Sequence, residues 1–424
     1  MDFIRFNRIR ALKTVLILLL IEFSSYGYNY YRYNEYIESD LTKINLNIET
    51  VESTDPAPSI IYTVTDAHGD DDCIIRLIDL MDSHDQPFYQ SSKEDETQGP
   101  SGFIGNTDVV IIKVNSQWDE RGGTNTDLVR SIVAAIIEHP DGWNGEIIIA
   151  DNGQAQYGGA GKGGSLDWME NNAQDHSQSM QDVADIYAEY RVSAYLWDEI
   201  TNNAVQEFAE GDNEDGYVVE TSIMSRTDTV ISYPKFTTSH GTQISFKYGL
   251  YKSELEDYDM DRLKIVNVPI LKTHMIYGVT GAVKHYMGVP SDKLSAGLGY
   301  RIHKAVGKGA MGTLMTQTRV PVLNIMDAIY VNAEPKNGPS TSYLQATEAD
   351  IVAASSDPFA LDYWGSKNIL CEICREFGDG TRTLDPDNTE SGGWGDWLRL
   401  SLDELTEAGY GFTVDPERIT VFVD

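Results

Sequence analysis

Asp108-Val-Val-Ile-Ile-Lys-Val114 carries five apolar residues with no alternation of polar and apolar positions. A strand with one wet face alternates, so this run reads as a strand buried on both faces, the habit of parallel sheets. Glu146-Ile-Ile-Ile-Ala150 is a second such run. Between them, Asp127–Glu138 (DLVRSIVAAIIE) has helical spacing, with Thr126 or Asp127 as its cap. Working outward, Ser59–Thr65 reads as a strand, Ile74–Met81 as a helix, Asp175–Tyr190 as a helix and Val192–Trp197 as a strand. Leu263–Leu271 (LKIVNVPIL), Val322–Met326, Asp350–Ala354 and Ile419–Val423 read as further strands, and Phe359–Leu370 as a helix. The alternation predicts an α/β fold: a doubly wound, mostly parallel, Rossmann-like sheet, with residues 229–251 as a β-ribbon insertion.

The chain has 424 residues, with 32 Lys plus Arg against 66 Asp plus Glu, a formal net charge of −34. That excludes a nucleic-acid binder working by bulk charge, which needs excess Lys and Arg against phosphates. It makes an anionic membrane surface an equally poor partner for the chain as a whole. At 41% hydrophobic residues a globular core is within reach. Three cysteines, Cys73, Cys371 and Cys374, make no disulfide framework. Cys371-Glu-Ile-Cys374 lacks the second pair of a zinc ribbon. It reads as a buried or incidental pair at the end of a helix, with a redox-active pair as the alternative.

Arg5, Arg8, Arg10 and Lys13 precede the apolar run Val15–Ile21, and Ser25-Tyr-Gly27 offers small residues at a cleavage site. This is the order of a secretory signal, and the run is too short to span a bilayer as a helix. Residues 1–27 are therefore read as an export signal or uncleaved anchor, 28–58 as a polar linker, and 59–424 as one domain. The expected location is secreted or extracytoplasmic, with the membrane touched only through an uncleaved N-terminal segment.

Two Gly-rich stretches fail as nucleotide motifs. Gly158–Gly164 has Gln156 and Gly163 where a P-loop needs Gly and Ser or Thr, and Gly307–Gly312 has the letters of GxGxxG without a preceding strand. Both read as mobile loops, the first as a candidate lid. Asp385–Gly392 resembles a calcium loop but lacks its Gly at position 6 and Glu at position 12.

The sharper stretch is Leu271-Lys-Thr-His-Met-Ile-Tyr-Gly-Val-Thr-Gly-Ala-Val-Lys-His-Tyr-Met-Gly288. Ligands of α/β sheets sit beyond the carboxyl ends of strands, which puts Lys272 and His274 at the rim. Gly278, Thr280 and Gly281 precede an apolar run able to form a helix. Its first N–H groups would then face the same crevice as an anion site, with Lys284 one turn on. Residues 264–308 hold seven basic residues against Asp292 alone, a +6 segment on a background of −40. A basic crevice on an acidic protein points to a small anionic ligand, although the lysines could instead pair with the acidic surface. Lys113, Asn115, Asp151 and Asn152 follow strand ends on the same edge, and Asp327 follows the strand ending at Met326. Asp127 and Asp357 are candidates too, but each can serve simply as a helix cap.

At these residues the sequence resembles the domain of unknown function 362 family. The motifs stand here as Ile112-Lys-Val-Asn115, Thr126-Asp127, Val268–His274, Gly278–Gly288, His303, Met326–Ile329 with Asn337-Gly-Pro339, and Ser356–Asp362. Departures are Val114 for Pro, His285 for Asn, and Glu334-Pro-Lys before Asn337. The resemblance runs from about residue 60 to the end of the 359–370 helix. Many relatives carry iron–sulfur cysteine clusters; Cys371 and Cys374 cannot build one. The family brings no assigned reaction, so the cofactor stays unknown.

A more remote similarity is to the cofactor domain of nickel-pincer lactate racemases, through His274-x3-Gly278-Val-Thr280-Gly281-Ala282-Val-Lys284. It implies His274 as a proton-transfer residue and Lys284 as a phosphate or cofactor anchor. An imidazole with its ordinary pKa works both ways near neutral pH. The expectation is an exported protein holding a small anion with Lys113, Lys272 and Lys284, either as an enzyme with His274 as acid–base or as a non-catalytic binder of a small anion or metal complex. His303 joins the ligand-binding set.

Overall fold

A computed structural model describes residues 42–94, 97–153, 166–167, 170–220, 227, 229–295 and 302–424. In chain order come β1 (Ser59–Val64), α1 (Cys73–Asp82), β2 (Val109–Lys113), α2 (Thr126–Ile137), β3 (Glu146–Asp151), α3 (Met180–Ile186) and β4 (Val192–Leu196). Short strands follow: β5 (Ala204–Val205), β6 (Gly216–Val219), β7 (Ser232–Thr237), β8 (Gln243–Ser245), β9 (Gly249–Lys252) and β10 (Asp257–Asp259). Then come β11 (Leu263–Asn267), β12 (Ile270–His274), β13 (Gly278–Thr280), α4 (Ala282–His285), α5 (Ala310–Gln317), β14 (Leu323–Asn332), β15 (Thr347–Ser355), α6 (Pro358–Gly365), α7 (Trp394–Glu407) and β16 (Ile419–Val423).

The main sheet runs β16–β1–β15–β14–β11–β2–β3–β4. Only β15 runs against its neighbours along this path. The class is α/β with a large, mostly parallel mixed sheet, as the uninterrupted apolar runs require. The pleat divides β2 between two cores. Val109 and Ile111 join a core built with the second sheet and α4 to α7, including Tyr217, Val283, Leu314 and Trp397. Val110 and Ile112 join the core under α1, α2 and α3, with Leu77, Ile132 and Val183. Both faces of the strand are dry, so alternation had nothing to select.

The 229–251 stretch does not stand as a ribbon by itself. It supplies β7 to β9 of a six-stranded sheet ordered β10–β9–β8–β7–β6–β5. Leu263–Leu271 is not one strand either. β11 pairs with β2 as far as Asn267–Lys113, whereas β12 leaves β2 and pairs with β13 and β14. The break falls at Val268-Pro269, where Pro269 has no N–H for a ladder. Lys272 and His274 therefore lie within a strand rather than beyond one. β14 extends to Asn332 because β15 pairs with it as far as Val331, so Asp327 is in mid-strand.

The cap of α2 is Asn125, whose side chain accepts from the N–H groups of Asp127 and Leu128. α3 begins only at Met180, where Ser179 and Asp182 form a reciprocal capping box. Residues 43–58, read as linker, lie on the domain: Val51 pairs with Val421, and Arg418 meets Asp55 at 2.9 Å. The export segment and the Gly158–Gly164 lid fall outside the described residues. Among the described residues no helix is long and apolar enough to cross a membrane.

Gly307–Gly312 is a packed junction rather than a mobile loop. A Cβ on Gly312 would meet the Ser401 carbonyl oxygen at 2.0 Å, so glycine lets α5 lie directly on α7. All three cysteines are buried and free, and burial pushes the Cys371 thiol up to about 12. The pair is structural in its surroundings.

Candidate functional site

The strand break at Pro269 separates the end of β2 from β12, and a cavity of about 370 Å³ is lined from both. Lys113, Asn115, Asp151, Asn152, Lys272, His274, Thr280, Lys284 and His303 are brought together in its lining. Gly278, Gly281 and Asp327 do not line it; they hold the walls.

The three lysines are buried, with exposures of 1% for Lys113, 0% for Lys272 and 7% for Lys284. Lys113 meets Asp151 at 2.7 Å and donates to the Val114 carbonyl at 2.8 Å. Asp151 also accepts from the Ser116 N–H at 2.8 Å. Lys272 donates to the Gly122 carbonyl and lies 5.9 Å from the Trp118 ring. Lys284 has no carboxylate partner among the described residues; its amine sits 5.6 Å from the Tyr277 ring centre. Burial lowers the amines of Lys113 and Lys272, and burial with Lys113 nearby pulls Lys284 down to about 7. Three further polar atoms of the lining, Asn115 Oδ1, Thr280 Oγ1 and His285 Nε2, are buried without a hydrogen-bond partner. Such atoms are costly unless something completes them.

His274 differs from its sequence reading. Its Nδ1 accepts from the N–H groups of Ile276 and Tyr277 at 3.1 and 3.2 Å. The ring proton therefore sits on Nε2, and the imidazole is a neutral donor. Burial first, then Lys284, His303 and Lys272, hold it well below its ordinary pKa. These surroundings hold the imidazole neutral with its Nε2–H in the cavity lining. His303 lies with its ring 5.8 Å from that of His274, and its carbonyl accepts from the Tyr277 hydroxyl at 2.5 Å.

The start of α4 also departs from expectation. The N–H groups of Ala282 and Val283 are taken by the Asp362 carboxylate at 2.5 and 2.9 Å, so they are not offered to a ligand. Burial raises Asp362 to about 7. Gly281 is needed for this contact, since a Cβ there would fall 2.3 Å from Asp362 Oδ1. Gly288 plays the same part on the other wall: its Cβ would fall 2.2 Å from Asp151 Oδ1 and 2.4 Å from Lys113 Nζ. Gly278 sits at φ +78° in the hairpin between β12 and α4, against the Thr383 carbonyl and Trp394.

Asn152 is spent on structure, its amide donating to the Tyr217 hydroxyl at 2.6 Å and to Thr201 at 3.1 Å. Asp327 is fully buried and accepts from the Asn125 N–H at 2.8 Å, steadying the cap of α2. Burial raises it to about 6. Asp127 accepts from the Gln174 N–H and the Gln178 amide at 2.9 Å, and Asp357 caps α6 through the Phe359 and Ala360 N–H groups. In the stretch resembling a calcium loop, Lys367 already supplies the cation to Asp385 and Asp387 at 2.8 and 2.7 Å.

His285 is an ionisable lining residue to which the sequence assigns no role. Its Nδ1 donates to Asn267 Oδ1 at 2.8 Å, while the Asn267 amide donates to Asn324 Oδ1 at 2.9 Å and the Asn324 amide to the Ser355 carbonyl. This chain orients the ring from behind. The signal available was its place directly after Lys284 in the same motif.

Residues 253–367 match the family model described as Domain of unknown function (DUF362). The matched segment holds Lys272, His274, Thr280, Lys284, His303, Asp327 and Asp362; the β2 and β3 wall with Lys113 and Asp151 lies outside it. The chain is 30% identical over 133 residues to the Thylakoid-associated protein sll1697 of Synechocystis sp. (strain ATCC 27184 / PCC 6803 / Kazusa), covering 28% of this chain and 39% of that protein. It thus spans about two fifths of that relative's length. No solved structure matches the chain.

Proposed function

We propose that the protein binds a small anionic ligand in the cavity between β2 and β12, at the carboxyl edge of the sheet. One observation carries this reading: three buried lysines line the cavity, and among the described lining residues only Asp151 is a carboxylate. An uncompensated buried ammonium is expensive, and an anion placed among Lys272, Lys284 and Lys113 offsets that cost. The neutral Nε2–H of His274 and the unpartnered atoms of Asn115 and Thr280 supply polar contacts for orientation. The volume is at the small end for ligand sites, which supports a small carboxylate or phosphate over a nucleotide-sized cofactor. The order of charges and apolar residues at the N-terminus supports an extracytoplasmic place of action, checked by fractionating cells that carry the chain with and without residues 1–27.

The binding test is calorimetric titration with inorganic phosphate, oxalate and pyruvate. Binding of at least one anion is expected, weakened about tenfold or more by Lys272→Met or Lys284→Met, the scale of one lost charge-assisted hydrogen bond. Absence of binding by every anion, or binding unchanged in the folded double variant, would overturn the reading.

A further inference from the structure

We propose that Lys284 is a covalent amine, forming an imine with the carbonyl carbon of a small 2-oxo acid held in this cavity. The proposal rests on the anion-binding reading and adds to it the class of ligand and a chemical step.

The three lysines are not equivalent. Lys113 is fixed by Asp151 at 2.7 Å, and Lys272 by the Gly122 carbonyl. Lys284 has neither a carboxylate nor a carbonyl partner among the described residues, yet it is 7% exposed and lines the same cavity. Two lysines are thus tied by close polar partners, and the third has none and is free to react. Its backbone is anchored, because Asp362 holds the first two N–H groups of α4. Its ammonium form has no carboxylate or carbonyl bond among the described residues, only the Tyr277 ring 5.6 Å away. The neighbouring charges, Lys113 and Lys272, are of the same sign, and an amine buried beside other cations is the usual means of making lysine nucleophilic at neutral pH. The pull on its pKa, down to about 7, agrees with this geometry.

His274 completes the arrangement. With Nδ1 accepting two backbone N–H groups, its Nε2–H is a fixed donor into the cavity. A fixed neutral donor suits an oxygen that gains electron density.

The step balances without an oxidant or reductant. The Nζ lone pair of Lys284 forms the N–C bond while the carbonyl π pair moves to oxygen. One amine proton passes to that oxygen, giving a carbinolamine. The hydroxyl then leaves with the second amine proton as water, and C=N forms. The carboxylate of the oxo acid stays ionised among Lys113 and Lys272 throughout.

The test uses the full chain with pyruvate and cyanoborohydride, which reduces an imine to a stable secondary amine. Intact mass and peptide mapping should show one carboxyethyl group per chain, at Lys284, and its loss in Lys284→Arg. If that variant does not fold, mapping of the wild-type adduct still decides the site. No adduct, or labelling of exposed Lys293 and Lys304 as fast as Lys284, would overturn the proposal. Calorimetric binding of pyruvate, phosphate or oxalate without an adduct would overturn the imine alone and leave anion binding standing; failure of all three anions to bind would overturn both.

Discussion

Lys113 and Asp151 meet at 2.7 Å with side chains 1% and 3% exposed, and Gly288 is the residue that lets them meet. Removing one partner of a buried pair strands the other charge. Asp151→Asn should therefore lower stability by about 3–5 kcal/mol in urea unfolding. Lys113→Met with Asp151→Leu should recover much of that loss, because no charge is stranded. Gly288→Ala should cost at least the about 1–3 kcal/mol of an overpacked core, since backbone and pair both need to move. Equal losses in the single and double variants would show that the pair is not what the site depends on.

Gly281 and Asp362 make a second such couple, 2.3 Å from a virtual Cβ to Oδ1. Gly281→Ala should be strongly destabilising in wild type and much less so in an Asp362→Ala background, where the obstructing oxygen is gone. A double-mutant cycle by thermal or urea unfolding should give a coupling within about 0.5–3 kcal/mol. Additive effects would mean that Gly281 answers to something other than the carboxylate.

Much of this arrangement was legible in residues 271–288, and its limits have physical causes. The apolar runs of β2 and β3 announced strands dry on both faces. The motif brought Lys272, His274 and Lys284 to one edge because hairpin and helix follow each other closely. Asp362 could not be seen closing the start of α4, because it lies 80 residues from Ala282 and only tertiary packing brings it there. The apolar run stops at Met326 and so puts Asp327 at a strand end, while antiparallel pairing with β15 carries the strand on to Asn332. The state of His274 depended on which way two N–H groups pointed after a turn, which residue types do not encode.

Lys284 makes stability depend on pH with a definite sign. Its folded pKa of about 7 lies below the ordinary value of 10.5, so the unfolded chain holds a proton that the folded chain lacks between those values. Stability from this group therefore rises with pH from about 7 to 10.5 and is flat below. Lys284→Met should remove that rise and gain stability at neutral pH, by about 1.4 kcal/mol for each unit of separation abolished. Thermal unfolding of both proteins across the window measures it. Parallel profiles would show that the amine is not shifted.

Anion binding should then be linked to proton uptake. Above neutrality the free site holds Lys284 largely neutral, and a bound anion favours its ammonium form. Affinity should fall as pH rises through about 7, and at about pH 8 binding of phosphate or oxalate should take up as much as one proton. Calorimetry in two buffers of different ionisation enthalpy measures the uptake directly. Lys284→Met should abolish it. His274→Gln should weaken binding by removing the Nε2–H donor yet leave the uptake unchanged, because His274 stays neutral on both sides of the transition. If the uptake instead disappears with His274→Gln and persists in Lys284→Met, the imidazole is the titrating group, and its assignment as a fixed donor is wrong.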